Sequence, residues 1–288
     1  MKKYMMVGAV VGFAAVCALQ ADDSMRTTRT APAPVKIKNV EVGPVDRELE
    51  VRVGPQVTFV TGDVRIGKTG TQFDVWDDLK LDDVSPGVKF DVDWQPINNL
   101  HFGIDASWSK FDQSGTTGKD ISDGENILRA GATTKADLDI YSFKGIVGYD
   151  VLKTKTYRLR PYVGGIVGLV DGTASWNGTV ANSAGVNIDP SRTKSTKLDN
   201  VWSGSYIIGI DQRVYVSRDW YLGGDIGGTA LNNWWGLSGD AYTGYDFTKN
   251  WGVRLGYAFN YVNWENGPKA GKAEPLVGSA YVQAVWGF

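Results

Sequence analysis

One histidine and one cysteine bound the chemistry open to this 288-residue chain. Cys/His zinc sites and Cys–His nucleophile pairs need more of these residues than His101 and Cys17 supply, and one thiol cannot build a disulfide framework. The remaining candidates are charges. Lys89, Lys144, Arg158, Arg160, Arg213 and Arg254 fall on the same alternating faces as Asp91, Asp93, Asp105, Asp150, Asp211, Asp225, Asp240 and Asp246. Brought into one enclosure, these groups must pair, because an unpaired buried charge is costly. A second cluster, Asp74, Asp77, Asp78, Asp82 and Asp83, places five carboxylates in ten residues. Such a run can hold a divalent cation, but the Asp-x-Asp-x-Asp-Gly spacing of a calcium loop is missing, so a solvated acidic loop is the plainer reading. No glycine-rich phosphate loop or metalloprotease motif occurs. No catalytic residue, metal or cofactor is therefore expected.

The elements that hold these charges repeat with period two. Leu49, Val51, Val53, Val57 and Phe59 share one face against Arg52, Gln56 and Thr58. The same alternation continues over residues 86–94, 100–108, 141–151, 159–169, 202–216, 220–230, 237–247, 251–261 and 280–288. These ten amphipathic segments exceed the ~5–6 residues usual in soluble sheets and suit tilted membrane strands. Gly 36, Trp 11, Tyr 13 and Phe 10 fit a β-rich chain, and a net charge of −2 lacks the basic excess of a nucleic-acid binder.

Connections alternate in length. Residues 95–99, 152–156, 217–219 and 248–250 are short, whereas 62–83, 111–135, 171–199 and 264–275 are long; 231–234 is a short exception. Tryptophans mark the two ends. Trp94, Trp220, Trp251 and Trp286 fall near short turns, and Trp108, Trp202 and Trp264 near long loops, as two interfacial girdles require. The pattern predicts an all-β fold: a transmembrane antiparallel up-and-down β-barrel of about ten strands, with eight or twelve also compatible.

Residues 1–21 read as a signal peptide, with Lys2 and Lys3 ahead of an apolar run and Ala21 at the cleavage point. Residues 22–48 read as a flexible periplasmic tail, and 49–288 as the barrel. The longest later apolar stretch, Tyr162–Val170, is far short of the ~18–20 residues a membrane helix needs.

The terminal segment Ala280–Phe288 resembles the last strand of bacterial outer-membrane barrels, with Phe288, Trp286, Ala284 and Val282 at alternate positions. Arg160-Pro161-Tyr162-Val163-Gly164-Gly165 and Asn250–Tyr257 are similar to strands of the outer-membrane protein A and opacity-type group of small barrels. The resemblance covers residues 49–288. It implies an outer-membrane location, contact with lipid and lipopolysaccharide, and reading of Trp286 and Phe288 by the barrel assembly machinery. It leaves any extracellular ligand unnamed, because the group includes anchors, adhesins, enzymes and pores. Enzymatic barrels carry catalytic residues, a histidine among them, toward the extracellular side; His101 departs from this, being beside the short turn 95–99. The expected function is a non-enzymatic structural or surface-interaction barrel whose lumen is filled by a charge network of Lys89, Asp91, Asp93, Asp105, Lys144, Arg158, Arg160, Asp211, Arg213, Asp225 and Arg254. A narrow solute channel and a lipid-modifying enzyme are the competing classes.

Overall fold

The computed structural model describes residues 47–65, 70–75, 77–79, 84–123, 125–231, 234–265 and 272–288. Residues 1–21, read above as a signal peptide, most of the expected tail, Asp82 and Asp83 lie outside the described residues, as do the side chains of Trp202 and Trp264. Ten long strands carry the fold: β1 (Leu49–Arg65), β2 (Ser85–Ile97), β3 (Leu100–Thr116), β4 (Thr133–Tyr149), β5 (Tyr157–Asn182), β6 (Asn187–Tyr215), β7 (Trp220–Leu231), β8 (Trp234–Asp246), β9 (Trp251–Glu265) and β10 (Lys272–Gly287). Each pairs antiparallel with its neighbours in sequence, and β10 returns to pair with β1. The ring is therefore closed, which removes every free sheet edge along its path.

Its polarity is the reverse of a soluble protein's. Phe143, Val163, Ile208 and Leu255 are 49–59% exposed on the outer face, while Lys89, Asp91, Arg160 and Gln283 are at most 3% exposed inside. An apolar outer band around a polar interior is stable only in an apolar surrounding, and closure satisfies the backbone that lipid cannot. Trp94, Trp220, Trp251 and Trp286 face outward near the short-turn end, where the Trp251 and Trp286 rings lie 4.2 Å apart.

The strands run further than the apolar alternation suggested. Residues 171–199, expected to be a loop, instead continue β5 and β6 to a turn at 183–186. Trp176 pairs with Lys194 and Ala174 with Thr196. Both faces of this ribbon lie beyond the apolar band, so polar side chains on either face hide the pattern while the backbone ladder persists. The expected loop 111–135 is shortened likewise, since β3 reaches Thr116 and β4 begins at Thr133. Within the first long loop, Gln72–Asp74 forms a short strand that folds back onto the end of β1.

Cross-strand register explains many glycines. Tyr221 stands opposite Gly244, Tyr242 opposite Gly223, Tyr281 opposite Gly256 and Tyr162 opposite Gly209. Each ring lies over its partner: a Cβ on Gly244 would meet Tyr221 Cζ at 2.1 Å, and one on Gly223 would meet Tyr242 Cζ at 2.4 Å. The missing side chain is the space the phenol occupies, an arrangement that also pins register.

Candidate functional site

The barrel interior is the candidate site, and its lower end is built from one tight turn. Asn98 and Asn99 join β2 to β3, with Asn99 in the left-handed region at φ 70°. Asparagine is one of the few side chains that tolerates this conformation. The turn sets Asp93 and His101 on facing strands, both directed inward. His101 Nδ1 lies 3.1 Å from Asp93 Oδ1, and Nε2 lies 2.9 Å from Asp150 Oδ2. Arg160 takes the remaining oxygens, with Nη1 3.1 Å from Asp93 Oδ2 and Nε 3.1 Å from Asp150 Oδ1. Asp93 on β2, His101 on β3, Asp150 just after β4 and Arg160 on β5 thus close a ring of contacts. Arg158 stands beside this ring with longer contacts, 3.9 Å to Asp150 and 3.8 Å to Asp211.

The middle of the lumen holds a second layer. Lys89 contacts Asp105 and lies 3.2 Å from Asp91. Gln283 donates to Asp91 at 2.6 Å, and Arg52 lies 3.5 Å from the same carboxylate. Arg254 and Tyr281 each donate to Asp240, at 2.8 and 2.6 Å. Lys144 and Tyr162 converge on Asp225 Oδ2, both at 2.8 Å. The guanidinium of Arg254 sits 3.3 Å from the centre of the Tyr242 ring, and that of Arg213 lies 4.7 Å from Tyr221. These flat cations stack on aromatic faces in addition to the carboxylates they meet, Asp240 for Arg254 and Glu50 for Arg213.

All eleven charges assigned to the lumen from sequence line the inner face, and most meet an opposite charge. Several participants had no assigned role: Glu50, Arg52, Gln283 and the tyrosines 162, 221, 242 and 281. Arg47, placed in the tail by sequence, instead joins the barrel base, bonding Glu50 at 3.2 Å and approaching Asp246 at 3.0 Å. Its signal was weak because a single basic residue beside a Pro-rich stretch carries no periodicity.

Above the charged layers the lumen changes character. A cavity of about 160 Å³ is walled by Ile140, Ile166, Ile207, Val262 and Val277, with Ser142, Ser203 and Ser238 between them. Smaller voids of about 60 and 30 Å³ lie within the charged layers and at the lower mouth.

The acidic loop is occupied by its own backbone and a lysine. Asp74 N donates to Asp78 Oδ2 at 2.7 Å, Asp77 N donates to Asp74 Oδ1 at 2.8 Å, and Lys119 lies 2.7 Å from Asp78. Burial alone would raise the Asp78 pKa, but the bonds from Lys119 and the Asp74 amide outweigh it and hold the carboxyl below the usual range. Gly118 N also donates to Asp78 O at 2.8 Å, and Thr71 N to Ser122 O at 2.9 Å, so the β1–β2 and β3–β4 loops are bound to each other. The latter loop continues onto β5 through Leu128 and Val180.

No family model and no curated protein matches the chain. Among solved structures, the outer-membrane protease OmpT of Escherichia coli superposes with a TM-score of 0.51 at 12% identity, over 83% of this chain and 97% of that one. Neisserial surface protein A gives 0.34 at 14% identity, over 84% and 97%. The toluene transporter TodX of Pseudomonas putida gives 0.32 at 9% identity, over 84% and 90%. At this level of identity the OmpT likeness shows a shared fold. Together with the reversed polarity and the closed ring, it shows that the chain has the fold of the outer-membrane β-barrels.

Proposed function

We propose that this barrel is non-enzymatic, that its lumen is closed to solutes at rest, and that it acts through the strands and loops standing outside the membrane. The observation that carries the closed lumen is the pair Glu50–Arg213. Glu50 is on β1 and Arg213 on β6, halfway round the ring, yet Arg213 Nη2 lies 3.7 Å from Glu50 Oε1. A contact between opposite walls divides the bore at that level, which supports a lumen too narrow for solutes. The external role rests on strand length. β5 and β6 have 26 and 29 residues, more than twice the ~9–11 that a tilted strand needs to cross the bilayer. The lipid and lipopolysaccharide around the outer band, and the assembly machinery that would read Trp286 and Phe288, are the partners this reading implies.

His101 weighs against enzymatic function. Its hydrogen-bond partners are two carboxylates at the end with short turns, where a surface substrate does not reach. Single-channel recording in planar bilayers tests the closed lumen: the intact barrel gives a flat trace, and reproducible conductance steps overturn the reading. A narrow channel is the second reading, favoured by the three voids that follow one another from the lower mouth through the charged layers to the upper cavity.

A further inference from the structure

We infer that the outer edge of β6, above the closed ring, is a docking site for an extended acidic peptide, which it binds as an added strand. The inference rests on the external role proposed above and names the chemistry of the partner.

Beyond the ring, β6 outruns its neighbour. Its last paired residue toward β7 is Ile208, opposite Gly228, and β7 ends at Leu231, whereas β6 begins at Asn187. The other side of the ribbon is covered. β4 pairs with β5 as far as Asn177, and residues 126–128 pair with it from Val180 to Asn182. β6 is therefore the edge of the outer sheet, and among the described residues no strand lies against its upper part.

The ladder fixes which groups this edge offers. Leu159 O and Thr179 O both accept on the side of β5 away from β6, from Val151 N at 3.1 Å and Arg129 N at 3.0 Å. Even-numbered residues of β5 between them turn toward β6, where Ala174 meets Thr196 and Trp176 meets Lys194. The alternate residues Thr193 and Ser195 thus direct their N–H and C=O groups outward. Both residues are exposed, and neither amide has a partner among the described residues. Irregularities bound the open run. β6 shifts register between Asp189 and Arg192, where Pro190 has no amide to give, and again between Leu198 and Val201. The straight stretch 192–198 has room for a partner strand of about six residues.

Charge selects the occupant. Residues 172–180 and 190–198, the two sides of the ribbon here, contain Arg192, Lys194 and Lys197 and no carboxylate; Asp189 and Asp199 bound the run. These cations oppose pairing with the same edge of a second copy, because like charges would face each other across the new pair. They favour a strand that brings carboxylates to those positions. Main-chain bonds then provide affinity and the charges provide selection.

The probe is a fluorescein-labelled eight-residue peptide of alternating valine and glutamate, titrated into the full chain in nonionic micelles and read by anisotropy. Saturable one-to-one binding is expected, with the valine–lysine counterpart at least about tenfold weaker. Ser195→Pro removes one outward N–H while keeping every charge and the ladder to β5. It should weaken the peptide about tenfold, and Ser195→Ala should stay within about twofold. Heat-modifiable gel migration verifies that each variant is folded. A peptide N-methylated throughout tests the same bonds on the unaltered barrel, so the inference stays decidable should Ser195→Pro fail to fold. Absence of saturable binding overturns the inference. Equal binding of the lysine peptide or of the N-methylated one, or unchanged affinity in a folded Ser195→Pro, overturns it as well. Ser195→Cys, treated on intact cells with a membrane-impermeant maleimide, separates this inference from the external role it rests on. Labelling without peptide binding overturns strand addition alone, and absence of labelling overturns both.

Discussion

His101 and Arg160 share the same two carboxylates, each base holding one oxygen of Asp93 and one of Asp150. Neither base can be removed without leaving an oxygen on both acids unmatched. His101→Ala is expected to destabilise the barrel by about 2 kcal/mol, the scale found when buried hydrogen-bond partners are left unmatched. Arg160→Ala should cost at least as much, because Arg160 is 2% exposed and its stem packs over Gly148. Urea midpoints in lipid vesicles measure both; shifts under about 0.5 kcal/mol would show that the ring carries no stability.

Lys144 and Asp225 stand three strands apart and meet at 2.8 Å. Asp225→Ala strands a lysine and should lose about 3 kcal/mol, whereas Lys144→Met combined with Asp225→Leu should recover most of the loss by replacing the pair with apolar groups. A double variant no more stable than the single one would contradict this account. The same unfolding assay decides it.

The Tyr221–Gly244 pair makes a steric claim. Gly244→Val places branched carbons where the phenol ring lies and should cost about 2 kcal/mol, within the range for overpacking. Gly165, whose Cβ would meet only Ser205 O at 3.7 Å, provides the control. Gly165→Ala should unfold at nearly the wild-type temperature in a heat-modifiability gel.

The docked outer loops should depend on pH through Asp78. Its folded-state pKa lies below its unfolded value, so its contribution is complete above the unfolded value near 3.8 and is lost as pH falls through the lower, folded one. Docking should therefore hold at neutral pH and loosen only in acid below about pH 4. Asp78→Asn should loosen it at pH 7, read as faster tryptic cutting at Lys119. Equal cutting rates in variant and wild type would separate Asp78 from loop docking.

Phe288 gives a way to separate recognition from stability. Its backbone bonds, from Glu48 N to its carbonyl and from its amide to Leu49 O, are both 2.9 Å and survive Phe288→Ala. The exposed ring contributes nothing to the lumen. The variant should refold in vitro as wild type does, while its outer-membrane yield in cells falls severalfold. Equal loss in both settings would make Phe288 a stability residue.

Strand existence was legible because lipid on one face and charge on the other impose period two, and residues such as Phe90 and Lys89 report it directly. The tops of β5 and β6 were illegible because water bathes both faces there, so Thr193–Lys197 carry no alternation although they pair with Thr173–Asn177. Partner identities were out of reach for a different reason. Alternation places Asp91 inside, but which strand brings Gln283 to it depends on how the sheet staggers as it closes, and one strand's residues do not encode that. The Tyr–Gly pairs have the same origin: Tyr281 and Gly256 are 25 positions apart in sequence and are related only once register is known.

The pairing of β1 with β10, from Glu50 with Gly287 to Arg65 with Lys272, also sets an order of events. This seam joins segments more than two hundred residues apart, so it carries the largest loop-closure entropy among the described strand pairings and can form only once β10 has been made. Until then β1 offers an unpaired row of amides and carbonyls, and the outer apolar face has no lipid to cover it. A chain with this closure must be kept from aggregating throughout its transit, and any truncation ahead of β10 leaves a permanently open edge.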